Sequence, residues 1–200
     1  MRTLLLATTN EHKLNEYRTI LREIPFTLLS LRDVGIDMDV EETGTTFAEN
    51  ALLKACAYAQ AANMLALADD SGLEIDALGG APGVYSARFA GRETPYAERF
   101  RLIFDRLQDV PVSQRTARFR CAIALADPSG YTRVVEGTIE GLIAESPRGE
   151  NGFGYDPIFL VPEYGKTTAE MAPEEKHRIS HRGRAAEAAR RLLENWPDHS

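Results

Sequence analysis

Residues suited to phosphoryl chemistry occur in four short polar clusters of this 200-residue chain. Each cluster lies where the hydrophobic pattern predicts that a strand or loop meets a helix. Carboxylates can hold a hard divalent cation such as Mg²⁺, and lysine or arginine can stabilise the charge on phosphate oxygens. The clusters are Thr8-Thr9-Asn10 with Lys13, Glu41-Glu42 with Asp69-Asp70-Ser71, the glycine-rich run at residues 152–156, and Lys176 with Ser180-His181-Arg182.

The first cluster follows a short apolar run, residues 4–7, and precedes a helical pattern. The free N–H groups of a helix start, the positive end of its dipole and Lys13 in its first turn would together suit a phosphate. The segment is not a Walker A loop, because it lacks the glycine-rich stretch and the Lys-Ser/Thr pair. The alternative interpretation is a simple N-cap, Thr9 or Asn10, beside a solvated lysine.

The two acidic pairs lie on either side of one predicted helix and the strand that follows it, so they can meet in space. Mg²⁺ usually takes one or two carboxylates and completes its shell with water and phosphate oxygens. A carboxylate beside the metal can also accept a proton from an attacking water. We expect Asp70 at the carboxyl end of its strand, where α/β proteins place their sites. The alternative is surface charge at Glu41-Glu42 and a turn at Asp69-Asp70.

The last two clusters could recognise a base. Phe153 and Tyr155 alternate with glycines that let the backbone approach a ligand closely, although a tight turn with both rings in the core would give the same pattern. Lys176, His181 and Arg182 precede the predicted final helix, with Ser180 as a possible cap. Because the helix dipole disfavours cations at that end, their presence favours a functional role.

The predicted elements alternate between strands and helices early in the chain and pair as hairpins later, which indicates an α/β fold with a mixed sheet. A capping-box pattern, Thr46 and Glu49, predicts the start of an alanine-rich helix that runs to about Ala62. Thr94-Pro95 predicts another helix start. Strands are predicted at residues 4–7, 26–31, 64–68, 73–77, 117–125, 131–139 and 158–161, and a closing helix at residues 184–196.

Composition sets limits on the class of protein. The chain is 44% hydrophobic and 26% charged, with no linker-like segment, so we expect a single domain over residues 1–200, with either one or two lobes. The net charge of −7 argues against a nucleic-acid partner. Cys56 and Cys121 have no metal-ligand or disulfide spacing. No apolar run approaches the roughly 20 residues of a membrane helix, and residues 1–7 lack a cleavage-like site, so we expect a cytoplasmic protein without a membrane partner.

Five motifs together identify a family resemblance: TTNEHK at residues 8–13, EETGTTFAENALLKA at 41–55, ADDSGLEIDALGGAPGVYSARFAG at 68–91, GFGYDPIF at 152–159 and SHRGRA at 180–185. In this order and over nearly the whole chain they closely resemble the inosine/xanthosine triphosphate pyrophosphatase family. The resemblance implies an α/β fold of two lobes around a long curved mixed sheet with flanking helices and a cleft between the lobes. It also implies a homodimer, Mg²⁺ as cofactor, and hydrolysis of a nucleoside triphosphate (dITP, ITP or XTP) to the monophosphate and pyrophosphate.

The resemblance also implies a role for each matching residue. Asp70 would be the proton acceptor and a Mg²⁺ ligand, with Glu41 as a further metal ligand and Ser71 as a substrate contact. The triphosphate would be held by Thr8, Thr9, Asn10, Glu11, His12 and Lys13. The base would be enclosed by Phe153, Gly154, Tyr155, Asp156, Lys176, His181 and Arg182. Lys54 is a second-tier phosphate candidate, and Thr9 departs from the glycine that family members often have.

Two other functions are compatible with parts of the sequence. Asp37-Met38-Asp39-Val40 fits the DxDxV pattern of haloacid-dehalogenase-type phosphatases, but residues 33–36 are a poor candidate for the apolar strand that should precede it. A nucleotide-sensing module that binds without turnover would use the same phosphate and base contacts and would need no general base.

Overall fold

A computed structural model of the chain describes residues 2–197, in which seven strands form one mixed sheet of order β2-β1-β3-β4-β5-β6-β7. The strands are β1 (Arg2–Leu6), β2 (Phe26–Ser30), β3 (Ala66–Ile75), β4 (Thr116–Ala126), β5 (Thr132–Ile143), β6 (Phe159–Val161) and β7 (Lys166–Thr167). The helices are α1 (Glu11–Ile20), α2 (Phe47–Ala62), α3 (Tyr96–Arg106), α4 (Pro173–Ile179) and α5 (His181–Glu194). Short 3₁₀ helices cover Asp76–Leu78, Gly83–Arg88, Val112–Gln114, Asp156–Ile158 and Thr168–Glu170.

Strand directions confirm the predicted α/β class with a mixed sheet. β1 pairs in parallel with both β2 and β3, whereas β6 is antiparallel to both β5 and β7. The parallel part comes from the segment where strands and helices alternate in sequence. The antiparallel part comes from the later segment, where a short connection joins β6 and β7, as an antiparallel pair allows.

The chain forms two compact units, each with a hydrophobic cluster of its own. Among the described residues, the first unit comprises 2–70, Cys121–Gly137 and 181–197, and the second comprises Ser71–Arg120 and Thr138–Ser180. The prediction of one domain with two lobes stays a prediction.

In the first unit, helix α5 approaches the sheet closely at Gly137 of β5. A Cβ atom at Gly137 would lie 2.2 Å from the His181 carbonyl oxygen and 2.5 Å from the Ala185 nitrogen, so no side chain fits there. The apolar face of α5 completes the cluster with Leu4 and Leu6 of β1 and Tyr17 of α1. The missing side chain at Gly137 thus lets the start of α5 pack directly against β5. His181 and Arg182 are the first two residues of that helix.

In the second unit, Arg99 of α3 organises the loop between Ser86 and Thr94. Its buried guanidinium donates five hydrogen bonds of 2.9 to 3.2 Å to backbone carbonyls of that loop. The Ser86 carbonyl also accepts a hydrogen bond of 2.9 Å from the Tyr155 hydroxyl. The loop is therefore tied to the glycine-rich run that carries Tyr155.

Besides shifts of a few residues at strand ends, three differences from the sequence prediction affect the candidate site residues. β3 runs without a break from Ala66 to Ile75, so Asp69 and Asp70 lie inside a strand rather than at its carboxyl end. The register explains the difference, because β1 ends at Leu6, opposite Leu67, and β3 continues beyond it. Helix α4 was not predicted, since seven residues give too little periodicity, and it carries Lys176. The final helix begins at His181, and Ser180 is the C-cap of α4.

Within residues 2–197, no helix is both long and apolar enough to cross a membrane. Residues 1–7 were expected to lack a cleavage-like site. The first of them, Met1, lies outside the described residues.

We predict that Thr46→Ala destabilises the protein by about 1 kcal/mol, because Thr46 forms a capping box with Glu49 at the start of α2. The free energy of unfolding should be measured by urea titration. Thr43→Ala, at an exposed position three residues earlier, serves as the control and should stay within about 0.5 kcal/mol of the parent. Equal losses in the two variants would contradict the assignment of the cap.

Candidate active site

Asp69 of β3 is the centre of a buried ion cluster in the first unit. Its Oδ2 lies 2.9 Å from Lys13 Nζ of α1 and 3.6 Å from Arg182 Nη2 of α5, and the residue is 2% exposed. Arg182 Nη1 also donates a 2.7 Å hydrogen bond to Glu16 Oε2 of α1, and its guanidinium lies 5.9 Å from the centre of the Tyr17 ring. One carboxylate thus joins α1, β3 and α5.

The cluster keeps its members charged. Burial alone would raise the pKa of Asp69, but Lys13, Arg182 and Lys54 together hold it well below its usual value. Burial would likewise lower the pKa of Arg182, yet Asp69 and Glu16 raise it far above the ordinary arginine value. Next to them, burial raises the pKa of the Cys121 thiol to about 12. Cys121 is therefore a neutral core residue, as a buried thiol without metal-ligand spacing should be.

Asp70 follows in the same strand, but its pKa is shifted in the opposite direction. Burial raises its pKa and Glu42 raises it further, while Lys54, Lys13 and a hydrogen bond from Asn50 act in the other direction. Asn50 Nδ2 donates to Asp70 Oδ2 at 3.0 Å. A carboxylate whose pKa is raised by burial is a better proton acceptor at neutral pH than an ordinary one.

Lys54 of α2 links the two acidic segments. It forms an ion pair with Glu42. Burial lowers its pKa, but Asp69, Asp70 and Glu42 outweigh that effect and the net pKa is raised. Within residues 2–197, Glu41 is exposed and forms neither an ion pair nor a hydrogen bond with another side chain. The structure therefore places Glu42 close to Asp70, and leaves Glu41 at the surface of the same loop.

Residues 8–13 form a capped helix start, and they also carry Lys13, whose ammonium belongs to the buried ion cluster. Asn10 is the N-cap of α1, and its Oδ1 accepts a 3.1 Å hydrogen bond from the Lys13 backbone nitrogen. Thr8 Oγ1 accepts from the Asn10 nitrogen at 3.2 Å. One helix-start donor is thus used by the cap, which is what the alternative interpretation expected. Lys13, however, is not simply solvated, because its ammonium contacts Asp69. Thr9, Glu11 and His12 are exposed.

The second unit holds the other predicted base contacts around Asp156. Its Oδ2 accepts from Lys176 Nζ at 2.7 Å and from the Phe153 nitrogen at 2.8 Å, and its Oδ1 accepts from Thr168 Oγ1 at 2.8 Å. The Lys176 ammonium lies 5.2 Å from the centre of the Phe153 ring. The Tyr155 ring is in the core, edge-on to Tyr96 at 5.2 Å. Gly154 has a positive φ of 67°, and Ser71 is partly buried in β3 beside Asp70.

The predicted residues therefore fall into two groups, which belong to different units. In the first unit, Lys13 and Arg182 meet at Asp69, and Lys13 also acts on Asp70. In the second unit, Phe153, Asp156 and Lys176 come together. Sequence reasoning missed Asp69 as the shared counter-ion, together with Asn50 and Glu16. A signal existed for Glu16, because Lys13, Glu16 and Tyr17 are three and four residues apart and so share one face of α1.

The DxDxV segment has the wrong surroundings for a haloacid-dehalogenase nucleophile. Residues 36–40 have no regular secondary structure, and a turn rather than a strand precedes them. The Met38 carbonyl accepts a 2.9 Å hydrogen bond from the Tyr58 hydroxyl, which fixes the segment against α2.

The oxygen donors of the first unit fit a hard divalent cation that is shared with a ligand. In the part of the chain that the structure describes, no group of three or more His, Cys, Asp or Glu side chains could hold a metal by itself. Mg²⁺ does not need such a cage, because it is usually held by one or two carboxylates and by phosphate oxygens. Asp70 offers such a carboxylate for Mg²⁺, and a hydrogen bond from Asn50 already orients it.

Comparison with known proteins gives a consistent picture. The sequence profile of the Ham1 family matches residues 4–192. A Bacillus subtilis protein named dITP/XTP pyrophosphatase is 48% identical over 194 residues, which are 97% of this chain and 98% of that protein. A Thermus thermophilus protein of the same name is 52% identical over 97% of this chain and 91% of its own length. The solved structure of a HAM1 protein from Coxiella burnetii has a TM-score of 0.89 and 44% identity, and covers 98% of this chain and 100% of that one.

Fold and site together define an α/β protein with a buried carboxylate–cation cluster suited to an anionic ligand and a divalent metal. The chain belongs to the Ham1 family.

We predict that Asp69→Asn destabilises the protein by about 3–5 kcal/mol, because it leaves Lys13 and Arg182 without their shared counter-ion. Since the folded-state pKa of Asp69 lies below the unfolded value, its contribution is complete above the unfolded pKa and is lost as pH falls toward the folded one. Urea titrations between about pH 5 and pH 2 should therefore show a steeper loss for the parent than for the variant. Asp109→Asn, at an exposed position, is the control and should follow the parent. Parallel curves for parent and Asp69→Asn would contradict the ion cluster.

Proposed function

We propose that this protein is a nucleoside-triphosphate pyrophosphatase that hydrolyses noncanonical purine nucleotides, dITP, ITP and XTP, to the monophosphate and pyrophosphate. Such an enzyme removes these nucleotides from the pool. The names of its relatives support the substrate class. The observation that carries the chemistry is Asp70, a buried carboxylate of raised pKa surrounded by Lys13, Lys54 and Asn50.

In the proposed reaction, Asp70 accepts a proton from a water molecule that attacks the α-phosphorus. The bond between the α-phosphorus and the bridging oxygen breaks, and pyrophosphate takes the bonding electrons. Lys13 and Lys54 stabilise the negative charge on the leaving group, as cations do in phosphoryl transfer. Thr8, Thr9, Asn10, Glu11 and His12 complete the contacts with the triphosphate, and Ser71 contacts the substrate next to Asp70.

Asp70 and Glu41 are the proposed ligands for Mg²⁺, which when bound would neutralise phosphate charge and lower the pKa of water. Glu42 is already paired with Lys54, whereas the carboxylate of Glu41 is exposed. That difference supports Glu41 as the acid of this loop that is available to a metal.

The proposed base contacts favour a purine with a 6-oxo group. Phe153, whose backbone is fixed by Asp156, supplies an aromatic face for stacking, and Gly154 lets the base approach the backbone. Lys176, His181 and Arg182 supply donors for the 6-oxo acceptor. Adenine has a donor at that position, and leaving a buried donor unpaired costs about 1–3 kcal/mol. Tyr155 and Asp156 support this surface, the first from the core and the second through Lys176.

Three further properties belong to the proposal. The protein acts as a homodimer, uses Mg²⁺ in preference to softer metals, and works in the cytoplasm, where a nucleotide pool is available. Light scattering at several protein concentrations gives the oligomeric state directly.

We predict that ITP and XTP with Mg²⁺ yield the monophosphate and pyrophosphate, and that ATP is hydrolysed at least about tenfold less efficiently in kcat/KM because of the unpaired donor. Anion-exchange chromatography of the products distinguishes the possibilities. Orthophosphate as the first product, with beryllium fluoride trapping an aspartyl-phosphate mimic at Asp37, would instead support the haloacid-dehalogenase alternative.

We predict that Asp70→Asn lowers kcat by about 10²-fold or more, because the amide cannot accept the proton. Binding of ITP without a divalent cation, measured by isothermal titration calorimetry in the presence of EDTA, should remain within about threefold of the parent, because the proposed phosphate and base contacts do not use the Asp70 carboxylate. Asp109→Asn is again the matched control. A parent protein that binds ITP but releases no pyrophosphate would support the nucleotide-sensing alternative.

A further inference from the structure

Asn50 of α2 connects the two segments that carry the acidic pairs. Its side chain is completely buried. Asn50 Nδ2 donates to Asp70 Oδ2 at 3.0 Å, and Asn50 Oδ1 accepts from the Gly44 backbone nitrogen at 2.8 Å. We refer to residues 41–44, which contain Glu41 and Glu42, as the acidic loop. A single carboxamide thus holds the end of the acidic loop on one side and the Asp70 carboxylate on the other.

The two partners fix the orientation of this carboxamide. A backbone N–H can only donate, so the Asn50 oxygen must face Gly44 and the NH₂ group must face β3. A hydrogen bond donated to one named oxygen of Asp70 sets the rotation of the carboxylate. Leucine has the same branched arrangement of four side-chain heavy atoms as asparagine, although it is larger, and could form neither bond.

Gly44 packs so closely against the Asn50 and Glu49 side chains that a larger residue would clash with them. A Cβ atom at Gly44 would lie 2.7 Å from Asn50 Oδ1 and 2.7 Å from the Glu49 Cβ, distances that side chains do not tolerate. The following residues are held by the capping box, in which Glu49 Oε2 accepts from the backbone nitrogens of Thr45 at 2.7 Å and Thr46 at 3.1 Å. The acidic loop therefore has a fixed attachment at its carboxyl end.

We propose that Asn50 is a positioning residue that orients the Asp70 carboxylate and holds the acidic loop beside it, so that acids from both segments face one divalent cation. This inference rests on the proposed role of Asp70 and Glu41 as metal ligands. Hydrogen bonds that orient metal ligands typically change metal affinity or activity by about 10- to 100-fold when they are removed. A purely structural Asn50 would affect stability and leave cation affinity unchanged.

The test compares Asn50→Leu with Gln60→Leu, which removes an exposed carboxamide at the other end of the same helix. Binding of Mn²⁺, as a paramagnetic probe, is measured by electron paramagnetic resonance without nucleotide and with inorganic pyrophosphate. Circular dichroism and thermal unfolding report whether each variant is folded. We expect about 10- to 100-fold weaker Mn²⁺ binding in Asn50→Leu and a similar fall in kcat for ITP, with a smaller change in KM. Gln60→Leu should match the parent.

Gly44→Ala is a second variant, which keeps Asn50 and displaces its oxygen. It should weaken Mn²⁺ binding by at least about threefold, and it provides the test if Asn50→Leu does not fold. Folded variants that bind Mn²⁺ as the parent does would overturn the proposal, and so would a parent that binds no Mn²⁺ in either condition. If the parent fails to hydrolyse ITP but Asn50→Leu still loses Mn²⁺ affinity, the proposed function is wrong and the positioning role stands.

Discussion

The sharing of the buried Asp69 carboxylate between Lys13 and Arg182 is the interaction on which the rest of the first unit depends. Two cations from helices at opposite ends of the sequence would repel each other inside the protein without it. With it, the starts of α1 and α5 are held on the same strand. The close approach of α5 to Gly137 and the ion pair between Arg182 and Glu16 act on the same helix start. The position of Lys13 in the loop at residues 8–13 is thus set by an acid that lies outside that loop.

Adjacent acids in one strand acquire different properties because their neighbours differ. Burial would raise both pKa values. At Asp69 the nearby Lys13, Arg182 and Lys54 outweigh burial and lower the pKa, whereas at Asp70 burial, together with Glu42, outweighs Lys54 and Lys13 and the pKa is raised. The continuation of β3 beyond the end of β1 makes this possible, since both residues keep the regular strand conformation while the parallel neighbour has already ended. One strand thus carries a buried counter-ion and, at the next position, a carboxylate of raised pKa that we propose as the proton acceptor.

Much of the fold could be predicted from the sequence because its signals are local. Alternating apolar residues marked β4, the capping box at Thr46 and Glu49 marked the start of α2, and the change from alternating elements to hairpins indicated a mixed sheet. Helix α4 was missed because one short, polar helix has no periodicity to detect. The end of β3 was misplaced because a double aspartate resembles a strand end unless its buried partners are known.

The site was predictable only in part, because some of its residues are recognisable only from contacts that the sequence does not show. Residue types at element junctions predicted Lys13, Asp70 and Arg182 as site residues, and the structure brings Lys13 and Arg182 together at Asp69, next to Asp70 in the sequence. The roles of Asp69, Glu16 and Asn50 depend on contacts between residues that are 20 or more positions apart, such as Asn50 with Asp70 and Glu16 with Arg182. Spacing alone contains no information about such pairs.

The central claim is that Asp70 directs water to the α-phosphorus while the lysines hold the departing pyrophosphate. Hydrolysis of ITP in water enriched in ¹⁸O, followed by mass spectrometry of both products, tests it most directly. The account predicts one ¹⁸O atom per turnover in the inosine monophosphate and none in the pyrophosphate. Label in the pyrophosphate would mean attack at the β-phosphorus, and would contradict the assignment of the acids and the cations to opposite sides of the broken bond.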